Sequence, residues 1–115
     1  MDAMKTVLVV GREWKFRALL RAQLLEEGYA ALGFETLEEA AAPPARGAPP
    51  AALVFDTTDA LPGGFPAQLS ALAERLPVVV VAAAGESFDA GAARVLRRPL
   101  RLEDVMAELR ALLID

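Results

Sequence analysis

Asp56 closes the apolar run Ala51-Ala52-Leu53-Val54-Phe55 and opens the polar turn Thr57-Thr58-Asp59. A carboxylate at such a junction sits at the carboxyl end of a strand, where open α/β sheets build their sites. It could there accept a phosphoryl group, ligate a metal or balance a cation. The strand Thr6-Val7-Leu8-Val9-Val10, which should face it, runs into Gly11-Arg12 rather than into carboxylates.

The elements that must hold these residues follow from the hydrophobic pattern. Thr6–Val10, Ala51–Phe55 and Pro77–Ala82 are almost wholly apolar, as in strands covered on both faces. Ala30–Phe34 and Arg94–Leu96 are shorter or mixed and suit edge strands. Between them, Phe16, Leu19, Leu20 and Leu24 recur at helical spacing, with a stop at Glu26-Glu27-Gly28. Thr36 and Glu39 form a capping box for a short Ala-rich helix. Leu69, Leu72 and Leu76 mark a third helix, and Leu102, Val105, Met106, Leu109, Leu112 and Leu113 line one face of the last. Strand and helix alternate, which with right-handed crossovers gives a parallel sheet. The order 2-1-3-4-5 puts Asp56 and the Gly11-Arg12-Glu13 turn across one crevice at the switch point. Pro43 to Pro50 reads as a stiff connector.

Composition narrows the chemistry. The 115 residues include no Cys and no His, which excludes disulfides, thiol catalysis, the usual zinc sites and any His-based triad. The net charge of −4 argues against nucleic acid. No apolar run reaches the roughly 18 to 20 residues of a membrane span. Met1 to Lys5 leads straight into a strand without signal-segment character, so a cytoplasmic location is expected. Residues 1–115 read as one domain. Trp14 is expected to be exposed beside the crevice, as a possible partner anchor. Arg94, Arg97, Arg98 and Arg101 are expected to form a solvated basic edge.

Five segments, in order and spacing, resemble the receiver domain of bacterial response regulators. Thr6 to Leu20 resembles its first strand and helix, and Leu53-Val54-Phe55-Asp56 its phosphoacceptor strand. Leu61-Pro62-Gly63-Gly64 resembles the loop before helix 3, Leu76 to Ala83 strand 4, and Gly91 to Leu100 strand 5 with its Lys-Pro turn. The resemblance implies a flavodoxin-like, doubly wound five-stranded parallel sheet, with helix 4 shortened because little more than Ala84 to Ala90 remains for it. It places Asp56 at the phosphorylated aspartate. It also places Gly11 and Arg12 at the paired Mg²⁺ acids, Ala82 at the coupling Thr or Ser, Arg98 at the Lys before Pro99, and Val95 at the aromatic switch. It further implies a cis Arg98–Pro99 bond, and it brings Arg98 as well as Arg12 toward Asp56. Guanidinium forks match carboxylates and phosphates, so a metal-free ion-pair cluster of Asp56 with Arg12, Arg98 or both is expected. Mg²⁺ needs near-octahedral oxygen ligation; with Glu13 one residue out of the family's register and Asp59 on the loop, no metal site is expected. These departures imply an atypical pseudo-receiver, not an enzyme, working by protein–protein interaction without Mg²⁺ or another cofactor. The partners implied are proteins, such as a histidine kinase or an output protein, with no nucleic acid or membrane. A functional phospho-receiver modified on Asp56 is the alternative. A small flavodoxin-like ligand binder is the third reading, weakened by the lack of a glycine fingerprint after strand 1.

Overall fold

Val7 to Val10, Ala52 to Asp56 and Val78 to Ala82 are buried without interruption, which requires a sheet covered on both faces. The computed structural model describes residues 4–42, 49–60 and 65–114 and has that form. Its elements are β1 (Thr6–Val10), α1 (Trp14–Glu26), β2 (Ala30–Phe34), α2 (Leu37–Ala41), β3 (Ala52–Asp56), α3 (Phe65–Ala73), β4 (Val78–Ala82), β5 (Arg94–Arg97) and α4 (Leu102–Leu112). The sheet order is β2-β1-β3-β4-β5 with every neighbouring pair parallel, as the alternation predicts. Most of the Pro43–Pro50 connector and the whole Leu61–Gly64 turn lie outside the described residues.

The period-two geometry of the strands divides the core in two. Val7, Val9, Val54, Val79 and Val81 pack with Leu20 and Leu24 of α1 and with Val105, Met106 and Leu109 of α4. Leu8, Val10, Leu53, Phe55, Val78 and Val80 pack on the other face with Leu37 of α2 and with Leu69 and Leu72 of α3. The connections thus change face between β1 and β3, which opens the crevice above their carboxyl ends.

Each helix begins and ends for a local reason. Glu13 caps α1, its carboxylate accepting from the amides of Lys15 at 3.2 Å and Phe16 at 2.7 Å. The expected inward set needs one correction: Leu20 and Leu24 are buried, but Leu19 is 53% exposed, being about 100° around the helix from Leu20. The expected box at α2 is present, with Glu39 N–H donating to Thr36 Oγ1 and Thr36 N–H to Glu39 Oε1, each at 3.2 Å. In α4, Arg110 donates to both oxygens of Glu27 at 2.9 and 2.7 Å and to Glu103 at 2.5 Å. Arg110, aided by Gln23, holds the Glu27 carboxyl down to about 2, tying the end of α1 to α4.

The segment expected to carry a shortened helix 4 carries turns and no helix. Gly91 adopts a φ of +60°, and a Cβ there would meet Ser70 Oγ of α3 at 2.7 Å, so the chain turns sharply where only glycine fits. Asp89 Oδ1 accepts from Gly91 N–H at 2.9 Å, a side-chain-to-backbone bond that competes with helix. Among the described residues no helix is long and apolar enough to cross a membrane.

Candidate functional site

Asp56 is the last residue of β3 and is only 1% exposed. Its register with Val81 of β4, and that of Ala82 with Arg97 of β5, bring the residue after β5 back over the same end of the sheet. Arg98 N–H donates to the Ala82 carbonyl at 2.9 Å, and its guanidinium then reaches Asp56 Oδ1 at 2.9 Å. The same oxygen accepts from Thr58 N–H at 3.0 Å. The guanidinium carbon of Arg98 stands 5.3 Å from the centre of the Phe16 ring, within cation–π range. Arg98 therefore lies between an aromatic face from α1 and a carboxylate from β3. The Arg98–Pro99 bond is cis, as the resemblance implies.

The second oxygen of Asp56 behaves differently. Oδ2 is buried and accepts no hydrogen bond from any of the described residues. A Cβ on Gly11 would stand 3.7 Å from it and 3.0 Å from Asp56 Cβ. Gly11 is thus the residue directly opposite Asp56, and its missing side chain lets β1 and β3 end so close together. Arg12 is exposed and makes no ion pair among the described residues. The expected cluster of Asp56 with one or two guanidiniums is the Arg98 pair alone, because the chain turns outward at Arg12 into α1.

Ala82 is wholly buried in the core on the α2–α3 side, and Val95 is half-buried against the same core. Neither carries a hydroxyl or a ring. Three features near Asp56 escaped the sequence reading. Thr57 Oγ1 donates to Glu86 Oε1 at 2.7 Å, and Ala83 N–H donates to the same oxygen at 2.9 Å. Arg97 donates to the Glu86 carbonyl. An aromatic series, Phe55–Phe65–Phe88, with ring centres 5.3 and 5.2 Å apart, links β3 through α3 to the β4–β5 loop. These contacts fasten that loop where a helix would otherwise pack. The available signal was Phe88, a lone aromatic among Gly, Glu, Ser and Asp. Of the four arginines expected as a solvated edge, Arg94, Arg97 and Arg101 are exposed, though Arg94 pairs with Glu108 at 2.6 Å and Arg97 holds the loop; Arg98 turns in to Asp56.

Removing the shared acceptor tests the fastening. Glu86→Ala leaves the buried Thr57 hydroxyl and the Ala83 amide without their partner, so it should cost about 1–2 kcal/mol. In hydrogen exchange, the Ala83 amide and the 84–90 segment should lose protection while β1 and β3 keep theirs.

No protein-family model matches the chain, and no curated protein matches its sequence. Solved structures do. The Vibrio cholerae chemotaxis protein CheY4 matches with a TM-score of 0.75 at 22% identity, over 96% of this chain and 100% of that one. A CheY-like response regulator receiver domain protein from Methanospirillum hungatei matches with a TM-score of 0.75 at 18% identity, over 95% and 93% of the two chains. A chain named adenylate cyclase from Rhodopirellula baltica matches with a TM-score of 0.74 at 17% identity, over 96% and 87%. The chain has the receiver fold.

The resemblance implies Mg²⁺ beside Asp56, and the side chains present supply few ligands for that ion. Mg²⁺ is bound through one or two carboxylates in an octahedral oxygen shell. Asp56 offers only Oδ2, Gly11 offers no side chain, and Arg12 brings positive charge. Glu13 caps α1, and Asp59 is exposed in the following turn at a φ of 62°. Among the described residues no group of three His, Cys, Asp or Glu side chains could hold a metal.

Proposed function

We propose that this chain is an atypical receiver domain of two-component-type signalling, acting by binding protein partners rather than by Mg²⁺-dependent aspartyl phosphorylation. The observation that carries the reading is the Arg98–Asp56 pair, half-buried at the guanidinium and enclosed at the carboxylate, formed where a receiver would present a metal-bound aspartate. Transfer of a phosphoryl group onto a carboxylate brings two anions together. The metal that neutralises them is worth several kcal/mol in the barrier, and one guanidinium on Oδ1 does not replace it. The consequence of phosphorylation is also missing. A ligand shifts a population only through contacts that differ between two states, and Ala82 and Val95 supply neither the hydroxyl nor the ring for such contacts. No enzymatic activity is part of the proposal.

A second reading, a working phospho-receiver modified on Asp56, draws support from one observation: Oδ2 has no partner among the described residues and lies near the space left by Gly11. The two readings separate in a titration of the protein with Mg²⁺ and fluoroberyllate, a phosphoryl mimic, followed by amide NMR. The proposal expects no saturable shifts at residues 56–59 or 82–98 at millimolar concentrations. Saturable, Mg²⁺-dependent shifts there would favour the phospho-receiver.

A further inference from the structure

A helix on a protein surface ordinarily turns an apolar stripe inward and a polar face outward. Helix α1 does not. Seven of its residues are exposed: Trp14, Lys15, Ala18, Leu19, Ala22, Leu25 and Glu26. Five are apolar, with Trp14 at 69%, Leu25 at 55% and Leu19 at 53% exposure. The inward residues Leu20 and Leu24 are apolar as well, so the outer face is a second apolar surface. Exposed apolar surface gathered in one place marks an interaction site.

We infer that this face is the contact between two copies of the chain, packed α1 against α1 in antiparallel fashion around a twofold axis near Leu19–Leu20. The arrangement of residues on the face argues for a second copy. At about 100° per residue, Trp14 and Leu25 fall within about 20° of each other on one flank. Lys15 and Glu26 fall within about 20° of each other on the opposite flank, and Ala18 and Ala22 lie between the flanks. A perpendicular twofold axis reverses the helix while keeping each flank on its own side. Trp14 of one copy then meets Leu25 of the other, and Ala18 meets Ala22, small enough for the axes to approach to about 8–10 Å. Lys15 of one copy meets Glu26 of the other, twice per dimer. Neither charge forms an ion pair within its own chain among the described residues. A face both apolar and self-complementary in charge fits its own copy better than an arbitrary partner. The inference rests on this helix alone and is independent of the reading of Asp56.

One helix pair buries less than a standard interface, so the dimer should be weak, with a Kd on the order of tens to hundreds of micromolar. Sedimentation equilibrium of the full chain should show a monomer–dimer equilibrium. The emission of Trp14, the only tryptophan, should shift to the blue over the same concentrations. Ala22→Glu, at an exposed helical position, should abolish both signals while leaving the circular dichroism spectrum unchanged. The decisive series is a charge reversal. Lys15→Glu and Glu26→Lys alone should each weaken the dimer about tenfold, by exchanging two attractive pairs for two repulsive ones. The double variant should restore it to within about threefold. A chain monomeric to millimolar concentration overturns the inference. So does a dimer indifferent to Ala22→Glu, or a double variant no tighter than the singles. A monomer that binds another protein's helix through this face would assign the surface to a foreign partner and overturn it equally.

Discussion

Replacing Arg98 by alanine should destabilise the protein by about 2–4 kcal/mol, measured by urea unfolding at neutral pH. Removing one partner of a buried ion pair costs about 3–5 kcal/mol, because the remaining charge stays buried without compensation. Asp56 is fully enclosed, but the Arg98 side chain is 32% exposed, so solvent screening lowers the expectation by about 1 kcal/mol from that range. Thr58 N–H would be the remaining donor to the carboxylate. Arg98→Lys should cost only about 1 kcal/mol, since the charge survives while the planar contact with Phe16 is lost. In an Arg98→Ala background, Asp56→Asn should recover more than half of the loss, because a neutral amide tolerates the site better than an unpaired carboxylate. A change below about 0.5 kcal/mol for Arg98→Ala would mean a solvated guanidinium, and the pair would then not define the site.

The second large effect is expected at Gly11. A Cβ at this position would stand 3.0 Å from Asp56 Cβ, tighter than ordinary packing, so Gly11→Ala should cost about 1–3 kcal/mol as an overpacked contact. Gly11→Asp adds a second carboxylate beside the partnerless Oδ2. Like charges sharing a site repel strongly, so the variant should lose more than the alanine one. It should also differ in kind. Two carboxylates facing one gap form the start of a Mg²⁺ site, and an ion that binds only the folded state stabilises it by mass action. Millimolar Mg²⁺ should raise the urea midpoint of Gly11→Asp and leave those of Gly11→Ala and the natural sequence unchanged. Equal responses of all three proteins would show that the crevice does not depend on its missing acid.

How much of this could be read from sequence depends on how local each cause is. The sheet order and the capping box at Thr36 were legible because they follow from the periodicity of short apolar runs and from one spacing of two residues. The confrontation of Gly11 with Asp56 was legible for a related reason: a parallel sheet has one switch point, and both residues end strands beside it. The choice between Arg12 and Arg98 was not. It depends on the direction in which each backbone leaves its strand, outward into α1 at Arg12 and back across β4 at Arg98. The Thr57–Glu86 bond was hidden for the same reason, joining residues 29 apart through a loop whose path is set by Gly91 and Phe88. The missing helix between β4 and β5 shows a limit of spacing arguments. Ala84 to Ala90 is long enough for a turn or two, but side-chain contacts with α3 and the end of β3 hold it in another form. The outer face of α1 shows the opposite limit. Its apolar residues merge in the sequence with those of the inner face, and only the fold separates them.

The central question is whether Asp56 is the charge partner of Arg98 or a carrier of phosphate. Incubation of the full chain with acetyl phosphate and Mg²⁺, followed by intact mass and by mapping of acid-stable, base-labile phosphate, addresses it directly. No stoichiometric labelling of Asp56 is expected, and Gly11→Asp is the variant in which labelling should first emerge. Stoichiometric, base-labile phosphate on Asp56 of the natural sequence would make Asp56 a phosphate carrier and overturn the charge-partner reading.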